Sequence, residues 1–515
     1  MNNNLLTDPL FGIKDMTGNH QRLSLPGLLA ALGTSDVMAL TGVQRHQANA
    51  FHIFLCCLAA HVLEVSRASE LAQDEDFWRT GLRQLSGGDL DDAWQLRVED
   101  LTQPAFMQPP VSSEKSAAEF KPNAETPDKL DVLQTAKNHD LKAARIRGSS
   151  AEDWALALIS LQTMSGYLGK GKYGIVRMYG GYGSRPVVAT YTDLSPGGRW
   201  REDINRLMDL RSERLVSPWP FQATGHRLLW VLPWDGKTGL GLESLHPFFI
   251  EICQLIRLDV RNGSVIALGQ RSTVPRITVS KETAGNVGDP WIPIRRSKGT
   301  ALTVSGRGFD PGLLRDLIIS QSDWQPAVMQ QMAPGPTPAW FHASVLVRGQ
   351  GTTDGFHEIY IRIAPRAKAS LLGGGSARER LGQLSDWALD RAHGIRNRAL
   401  RPALFALLEG GPEGWPDTGR REVAQWVDSW LSRYDHGWSD EYFPWLWATV
   451  DRDDDTARAQ WLEPLRDLAE GVLEEAIQTA PQRNGRHYRG RIRAAGLFRG
   501  AFYKHFGQEM PDVRK

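Results

Sequence analysis

At 515 residues the chain exceeds the size at which one hydrophobic core keeps growing, so two or more domains are expected. With 41% apolar residues, 23% charged residues and 18 tryptophans spread along it, the composition excludes a long disordered region. Against 60 basic residues stand 59 acidic ones, so a globally basic nucleic-acid binder is excluded and any anion-binding surface must be local.

Met1–Leu10 lacks the basic-then-apolar pattern of a secretory leader. The stretch Gln47–Val65 (QANAFHIFLCCLAAHVLEV) is apolar at helical spacing but interrupted by His52 and His61, which fits a buried core helix better than a membrane span. Both histidines read as core or interface residues. The three cysteines, Cys56, Cys57 and Cys253, form no disulfide or zinc pattern, and a reducing, cytoplasmic compartment is expected. Gln108–Thr126 is rich in Pro and Ser without apolar periodicity and predicts a long exposed loop. A basic cluster follows, Lys137, Asn138, His139, Lys142, Arg145 and Arg147, which either touches RNA or stays solvated.

Trp154–Met164 predicts a helix, and after it comes the literal pattern G-x-G-x-x-G-x-V at Gly169–Val176. A kinase would also need H-R-D and D-F-G motifs, which the sequence lacks, and a dinucleotide fold would need a strand before the glycines. Seven glycines between Gly166 and Gly183 stand beside Lys170, Lys172, Arg177 and Arg185, with no acid among them. Glycine removes the Cβ that holds a chain away from a ligand, so this segment suits close approach to a phosphate backbone. A pair of tight turns in a surface hairpin is the other reading.

Leu228–Leu232, Ser264–Leu268 and Glu358–Ile363 predict strands, making residues 1–370 a large mixed α/β domain of an α+β protein. The run Leu371–Ser376 (LLGGGS) marks a hinge or boundary, and residues 376–515 read as a C-terminal four-helix bundle. Its stripes include Val423, Trp426, Val427, Trp430 and Leu431, then Trp461, Leu465, Leu468, Val472, Leu473, Ala476 and Ile477, all expected as core. Asp451–Asp455 (DRDDD) reads as a solvated helix start. Between Arg483 and Lys504 there are seven Lys or Arg residues and no acid, a density beyond what solubility requires. Catalytic motifs and metal-spaced Cys or His pairs are missing, so no catalytic residue, metal or cofactor is expected.

Read in order, several strings resemble the CasA family, the large subunits of type I-E CRISPR surveillance complexes. They are Asn4–Ile13 (NLLTDPLFGI), Pro104–Gln108 (PAFMQ), Thr126–Leu130 (TPDKL), the glycine loop, Leu258–Gly263 (LDVRNG), Ile277–Lys281 (ITVSK) and Ala501–His505 (AFYKH). Their order and spacing cover nearly the full length.

The resemblance implies an α+β domain followed by a helical bundle, no chemistry of its own, and no membrane. It implies partners: a crRNA, target double-stranded DNA, backbone and small subunits of the complex, and a helicase-nuclease recruited afterwards. In such complexes the guide reads the long sequence while the protein reads a short flanking motif and backbone shape. Carried over, the glycine loop at Gly169, Lys170, Gly171 and Lys172 would approach the minor groove, and Lys281 would contact the motif. A strand-separating wedge would map onto Val347–Asp354 (VRGQGTTD), where the family's Asn-Gln pair is replaced by Thr352 and Thr353 with Gln350 upstream. This departure implies another motif preference or another way of starting strand separation. The cysteine cluster that some relatives use for zinc is missing from Arg261–Arg271. Lys137–Arg147 matches the family's long loop near the crRNA 5′ end. Two rival readings stand beside this one: a nucleotide-dependent transferase using Gly169–Gly174, and a scaffold that never touches DNA.

Overall fold

Antiparallel pairing between strands distant in sequence organises the first part of the chain, as seen in a computed structural model that describes residues 3–88, 91–133, 149–179, 184–216, 218–349, 352–409, 416–419, 421–480 and 486–509. The chain packs as two units. The first comprises Met1–Phe309, Ser322–Met332 and Ala339–Arg362, and the second Asp310–Gln321, Ala333–Pro338 and Ile363–Lys515.

In the first unit, β1 (Phe11–Asp15) lies between β2 (His20–Leu23) and β3 (Val37–Leu40). A second sheet orders β4 (Lys121–Ala124), β9 (Ser264–Gln270) and β8 (Leu255–Arg261). A third places β13 (Ala339–Gly349) between β14 (Thr352–Ile363) and β5 (Val187–Tyr191). These sheets pack around the helices α1 (Leu25–Thr34), α2 (Ala48–Val65), α3 (Glu75–Ser86), α4 (Ala151–Met164) and α5 (Pro196–Val216).

Helix α2 is long and apolar enough to cross a membrane by length and composition, but it is mostly buried inside this unit. Its core position has a local cause: Phe51, Phe54, Leu55, Leu58 and Val62 are all buried. Helix α4 begins on a capping box, in which Ser150 Oγ accepts from the Asp153 N–H and Asp153 Oδ2 accepts from the Ser150 N–H.

Two expectations are corrected. Gln108–Thr126 is exposed over much of residues 112–125, as expected, but its start is buried and it is not one long loop. Gln108 is fully buried, donating from Nε2 to Leu96 O (2.8 Å) and Phe106 O (3.0 Å) and accepting the Leu258 N–H on Oε1 (2.6 Å). Pro109, Pro110 and Val111 are buried after it, a short helix spans Glu114–Ala117, and β4 joins β9 as an edge strand. An edge position tolerates Pro122, which has no N–H to offer a further strand.

Leu228–Leu232 is not one strand either: pairing ends at Leu228, and Leu229–Val231 is a 3₁₀ turn. The turn sends the Trp230 indole into the core against Phe54, Trp94 and Phe106, with Nε1 donating to Ala93 O at 3.0 Å. A continuous apolar run does not distinguish these geometries.

The second unit is helical. After α6 (Pro365–Gly373), the glycines Gly374 and Gly375, both at positive φ, reverse the chain into α7 (Gly375–Gly394). Helix α7 continues through a π-helical stretch, Ile395–Leu400, into α8 (Arg401–Glu409), where Pro402 supplies no N–H to the preceding turn. With α9 (Arg421–Ala448), α10 (Asp454–Thr479) and α11 (Arg486–Phe506), it gives long helical rods that pack on one another.

The α10 stripe is core at Trp461, Leu465, Val472, Leu473 and Ala476, whereas on α9 Val427 and Leu431 are buried but Val423, Trp426 and Trp430 are only half-buried. Trp461 lies tilted against Trp445 at 4.7 Å, stands edge-on to Trp438 at 6.2 Å and donates Nε1 to Ala388 O at 3.0 Å. Asp453 caps α10 by accepting the Thr456 N–H at 2.9 Å, and Asp451 and Asp454 pair with Arg366 and Arg380. The acidic run is thus a helix start held by arginines.

Candidate nucleic-acid interface

The glycine segment leaves α4 as a tight loop. Ile175 N–H donates to Ser165 O (2.9 Å) at its base, Leu168 N–H to Lys172 O (3.0 Å) in its middle, and Lys172 N–H to Gly169 O (3.0 Å) at its tip. A helix precedes the glycines and a 3₁₀ turn, Val176–Met178, follows them. The strand-turn architecture on which kinase and dinucleotide sites depend is therefore not formed here.

Its glycines do different jobs. A Cβ on Gly174 would sit 2.4–2.7 Å from backbone atoms of Ser165 and Gly166, so this glycine closes the base of the loop. Gly171, at φ +81°, lies under Arg271, where a Cβ would meet the Arg271 Cβ at 2.8 Å, and its carbonyl accepts the Ser272 N–H at 3.2 Å. Gly169, at φ +120°, faces open space. Of these three, Gly169 is the one free for close approach by something outside the chain. A Gly174→Ala chain is expected to lose about 1–3 kcal/mol of stability, because only backbone atoms could give way. Denaturant unfolding monitored by tryptophan fluorescence checks this, and a neutral result would show that the loop base can open.

Beside Gly169 the tip exposes Lys170, Tyr167 (43% exposed) and Leu168 (39% exposed), with the Tyr167 ring 6.1 Å from Tyr173. Sequence reasoning passed over Tyr167 and Leu168. Two large apolar side chains inside a glycine-rich stretch were the available signal, since the core takes such residues unless a turn holds them out.

Downstream, Val176 N–H donates to both carboxyl oxygens of Glu251 (3.0 and 3.1 Å), whose burial pushes its pKa up to about 8. Arg177 pairs with Asp289 at 3.2 Å. Arg185, largely buried, donates to Tyr179 O (2.9 Å) and Ala284 O (2.7 Å) and also reaches Ala301 O and Thr303. One guanidinium thereby ties the glycine segment's exit to the turn carrying Lys281. In that turn Ser280 caps Lys281–Thr283, and Gly285 packs against Arg177 O and Arg185. Lys281 is exposed, and its side chain makes no hydrogen bond or ion pair among the described residues.

The other expected residues are placed as follows. Lys172 is half-buried, with Nζ 3.5 Å from Asn123 Oδ1. Thr352 and Thr353 open β14, while Gln350 lies outside the described residues. Lys137, Asn138, His139, Lys142, Arg145 and Arg147 also lie outside them. The root of that basic segment is moored: Asp131 takes His46 Nε2 (2.7 Å) and Gln47 Nε2 (2.6 Å) at the start of α2. Arg483 lies outside the described residues, but Arg489, Arg491, Arg499 and Lys504 are exposed on α11 without an ion pair among the described residues.

Two clusters bring metal-type ligand atoms within 4.8 Å of one another: His52, Cys56 and Asp203, and His61, Glu64 and His246. In both, the carboxylate is already met by arginine, Arg206 at Asp203 and Arg227 at Glu64, each at 3.1 Å. Burial pushes His52 and His246 below the usual histidine range; His52 Nε2 bonds to Asp203 at 2.9 Å, and His246 Nε2 lies 3.1 Å from Glu64. The histidines read as core residues are parts of buried polar networks.

No family model and no curated protein sequence matches the chain. Solved structures do. Thermobifida fusca Cse1 shares 14% identity at a TM-score of 0.65, with 100% of this chain and 99% of that one covered. Thermus thermophilus CasA (Cse1) shares 14% at 0.61, covering 99% and 100%. A chain of a CRISPR RNA-guided surveillance complex shares 13% at 0.52, covering 96% and 99%. From one end to the other, this chain has the fold of the CasA (Cse1) proteins.

Proposed function

We propose that this chain is the non-catalytic large subunit of a crRNA-guided type I-E complex, reading the short motif beside a double-stranded DNA target. The loop tip Tyr167–Lys170 is the observation that carries this reading: an open glycine flanked by exposed aromatic, apolar and cationic side chains, in a chain with the CasA fold. Gly169 enters the minor groove, and Lys281, on the turn that Arg185 holds to the same segment, reaches the acceptors on the base edges. Those acceptors are similar for A·T and T·A, so motif reading is tolerant. The β13–β14 end with Gln350, Thr352 and Thr353 assists strand opening and R-loop formation. The segment Lys137–Arg147 contacts the guide or neighbouring subunits, and a helicase-nuclease docks afterwards. The protein works in the cytoplasm. The likeness to a chain of a surveillance complex supports membership in such an assembly.

The test is binding of the reconstituted crRNA complex, with and without this chain, to target duplexes carrying randomised flanking bases at defined salt. Flank selectivity that depends on the chain is expected; selectivity unchanged by its omission sinks the reading and leaves a scaffold. Lys281→Ala is expected to cost about 1–3 kcal/mol on the preferred flank and little elsewhere. Equal weakening on every flank would make Lys281 a phosphate contact instead.

A further inference from the structure

Between the glycine turn and the β4–β9 edge lies a cleft of about 890 Å³ whose lining includes Lys121, Asn123, Lys172, Gln254, Gln270 and Arg271. Its single acid, Glu119, is occupied by Gln270 Nε2 at 2.7 Å. Lys121 and Arg271 are exposed and have no acidic partner among the described residues, and Lys172 reaches only the neutral Asn123 side chain. This differs from the rest of the unit, where arginines such as Arg83, Arg177, Arg206 and Arg227 meet carboxylates at 2.8–3.2 Å.

The backbone forces the cations together. Gly171 fits under the Arg271 side chain because it has no Cβ, and the Ser272 N–H to Gly171 O bond locks the two segments in register. Lys172 and Arg271 are thereby side by side in a half-enclosed place, and burial, then the Arg271 charge, pushes the Lys172 ammonium below its ordinary value. Like charges brought together without a counter-charge are unfavourable, and an anion entering between them relieves the repulsion.

We propose that this cleft grips the sugar–phosphate backbone of the target DNA duplex. The inference rests on the motif-reading function proposed above, because Lys172 of the glycine turn lines the cleft, close in the chain to the tip that enters the minor groove. The three cations meet phosphate oxygens, and the Asn123, Gln254 and Gln270 amides supply neutral donors to phosphate and sugar. These contacts carry no base information: they set register and add affinity. At this size the cleft suits a stretch of backbone rather than one small ion.

The experiment measures target-duplex affinity of the full reconstituted complex over a salt series, using Lys121→Gln, Arg271→Gln and the double variant. Glutamine keeps the Arg271 Cβ over Gly171 and preserves the packing. Each substitution is expected to flatten the slope of log K against log salt by about 0.9, and the double variant to weaken binding about tenfold or more at low salt. The ranking of flanks is expected to stay as it is.

A wild-type slope in the double variant overturns the proposal while leaving motif reading intact. A defect confined to binding of labelled crRNA, with duplex affinity unchanged, also overturns it. If the wild-type complex shows no flank selectivity but the slope still flattens, motif reading fails and the grip stands. Thermal unfolding of the double variant at or above the wild-type temperature is expected, since a repulsive pair is removed.

Discussion

Replacing Asp203 by alanine is expected to cost about 3–5 kcal/mol, the largest single effect in the first unit. The Asp203 side chain is wholly buried and accepts from His52 Nε2 (2.9 Å), Tyr191 OH (2.9 Å), Trp291 Nε1 (3.0 Å) and Arg206 Nη1 (3.1 Å). Burial works to raise its pKa, but the bond from His52, the charge of Arg206 and the bond from Trp291 outweigh it and keep the carboxyl below its ordinary value. Removing the carboxylate leaves three buried neutral donors and a largely buried guanidinium without their acceptor, and breaking a buried pair from one side carries that magnitude.

The partners sit on α2, β5, α5 and the chain before β10 (Ile294–Arg295), so the whole frame beneath β5 and β13 loosens together. Asp203→Asn is expected to lose less, because one amide oxygen still accepts while its NH₂ opposes a donor. Urea unfolding of the three chains checks the ranking. A loss below about 1 kcal/mol for Asp203→Ala would mean that water takes over the acceptor role.

Stability of the same unit is expected to fall as the pH is lowered from about 6.5 to 4. His342, on β13, is fully buried, stacked 4.5 Å from Tyr360 and 3.2 Å from Glu358 Oε1. Burial pushes its pKa down to about 4. The unfolded chain would titrate this histidine near 6.5, so between about 6.5 and 4 the unfolded state binds more protons and gains relative to the native one. Over that window the loss amounts to about 3 kcal/mol, and below about 4 it is complete.

Glu358 adds little there, because hydrogen bonds from His342, then from Arg45 and Tyr360, hold it down to about 2. His52, His61 and His246 are lowered too and act in the same direction. A His342→Gln chain keeps a donor toward Glu358 but cannot titrate, so its unfolding free energy is expected to vary by about 3 kcal/mol less across this window. Identical pH slopes for the two chains would remove His342 from the account.

Periodicity, glycine placement and charge runs are local properties, and they carried a good part of this protein. The helix at 48–65, the capped helix before the glycine loop, the apolar stripe of α10 and its acidic start were legible because each depends on neighbours within a few residues. Lys170 and Lys281 were legible as candidates for the same reason: each stands beside a turn signal.

Pairings across long separations were decided only by the tertiary structure. Asp203 gathers His52, 151 positions away, and Trp291, 88 away. Gln108 turned a Pro-rich stretch into a buried latch by bonding to Leu258, 150 positions on. Arg271 met Lys172 through a glycine that has no side chain to announce the contact. A buried polar group takes its partner from wherever the chain returns. Composition states that such groups exist, while the return path, and with it the cleft beside the glycine loop, comes only with the fold.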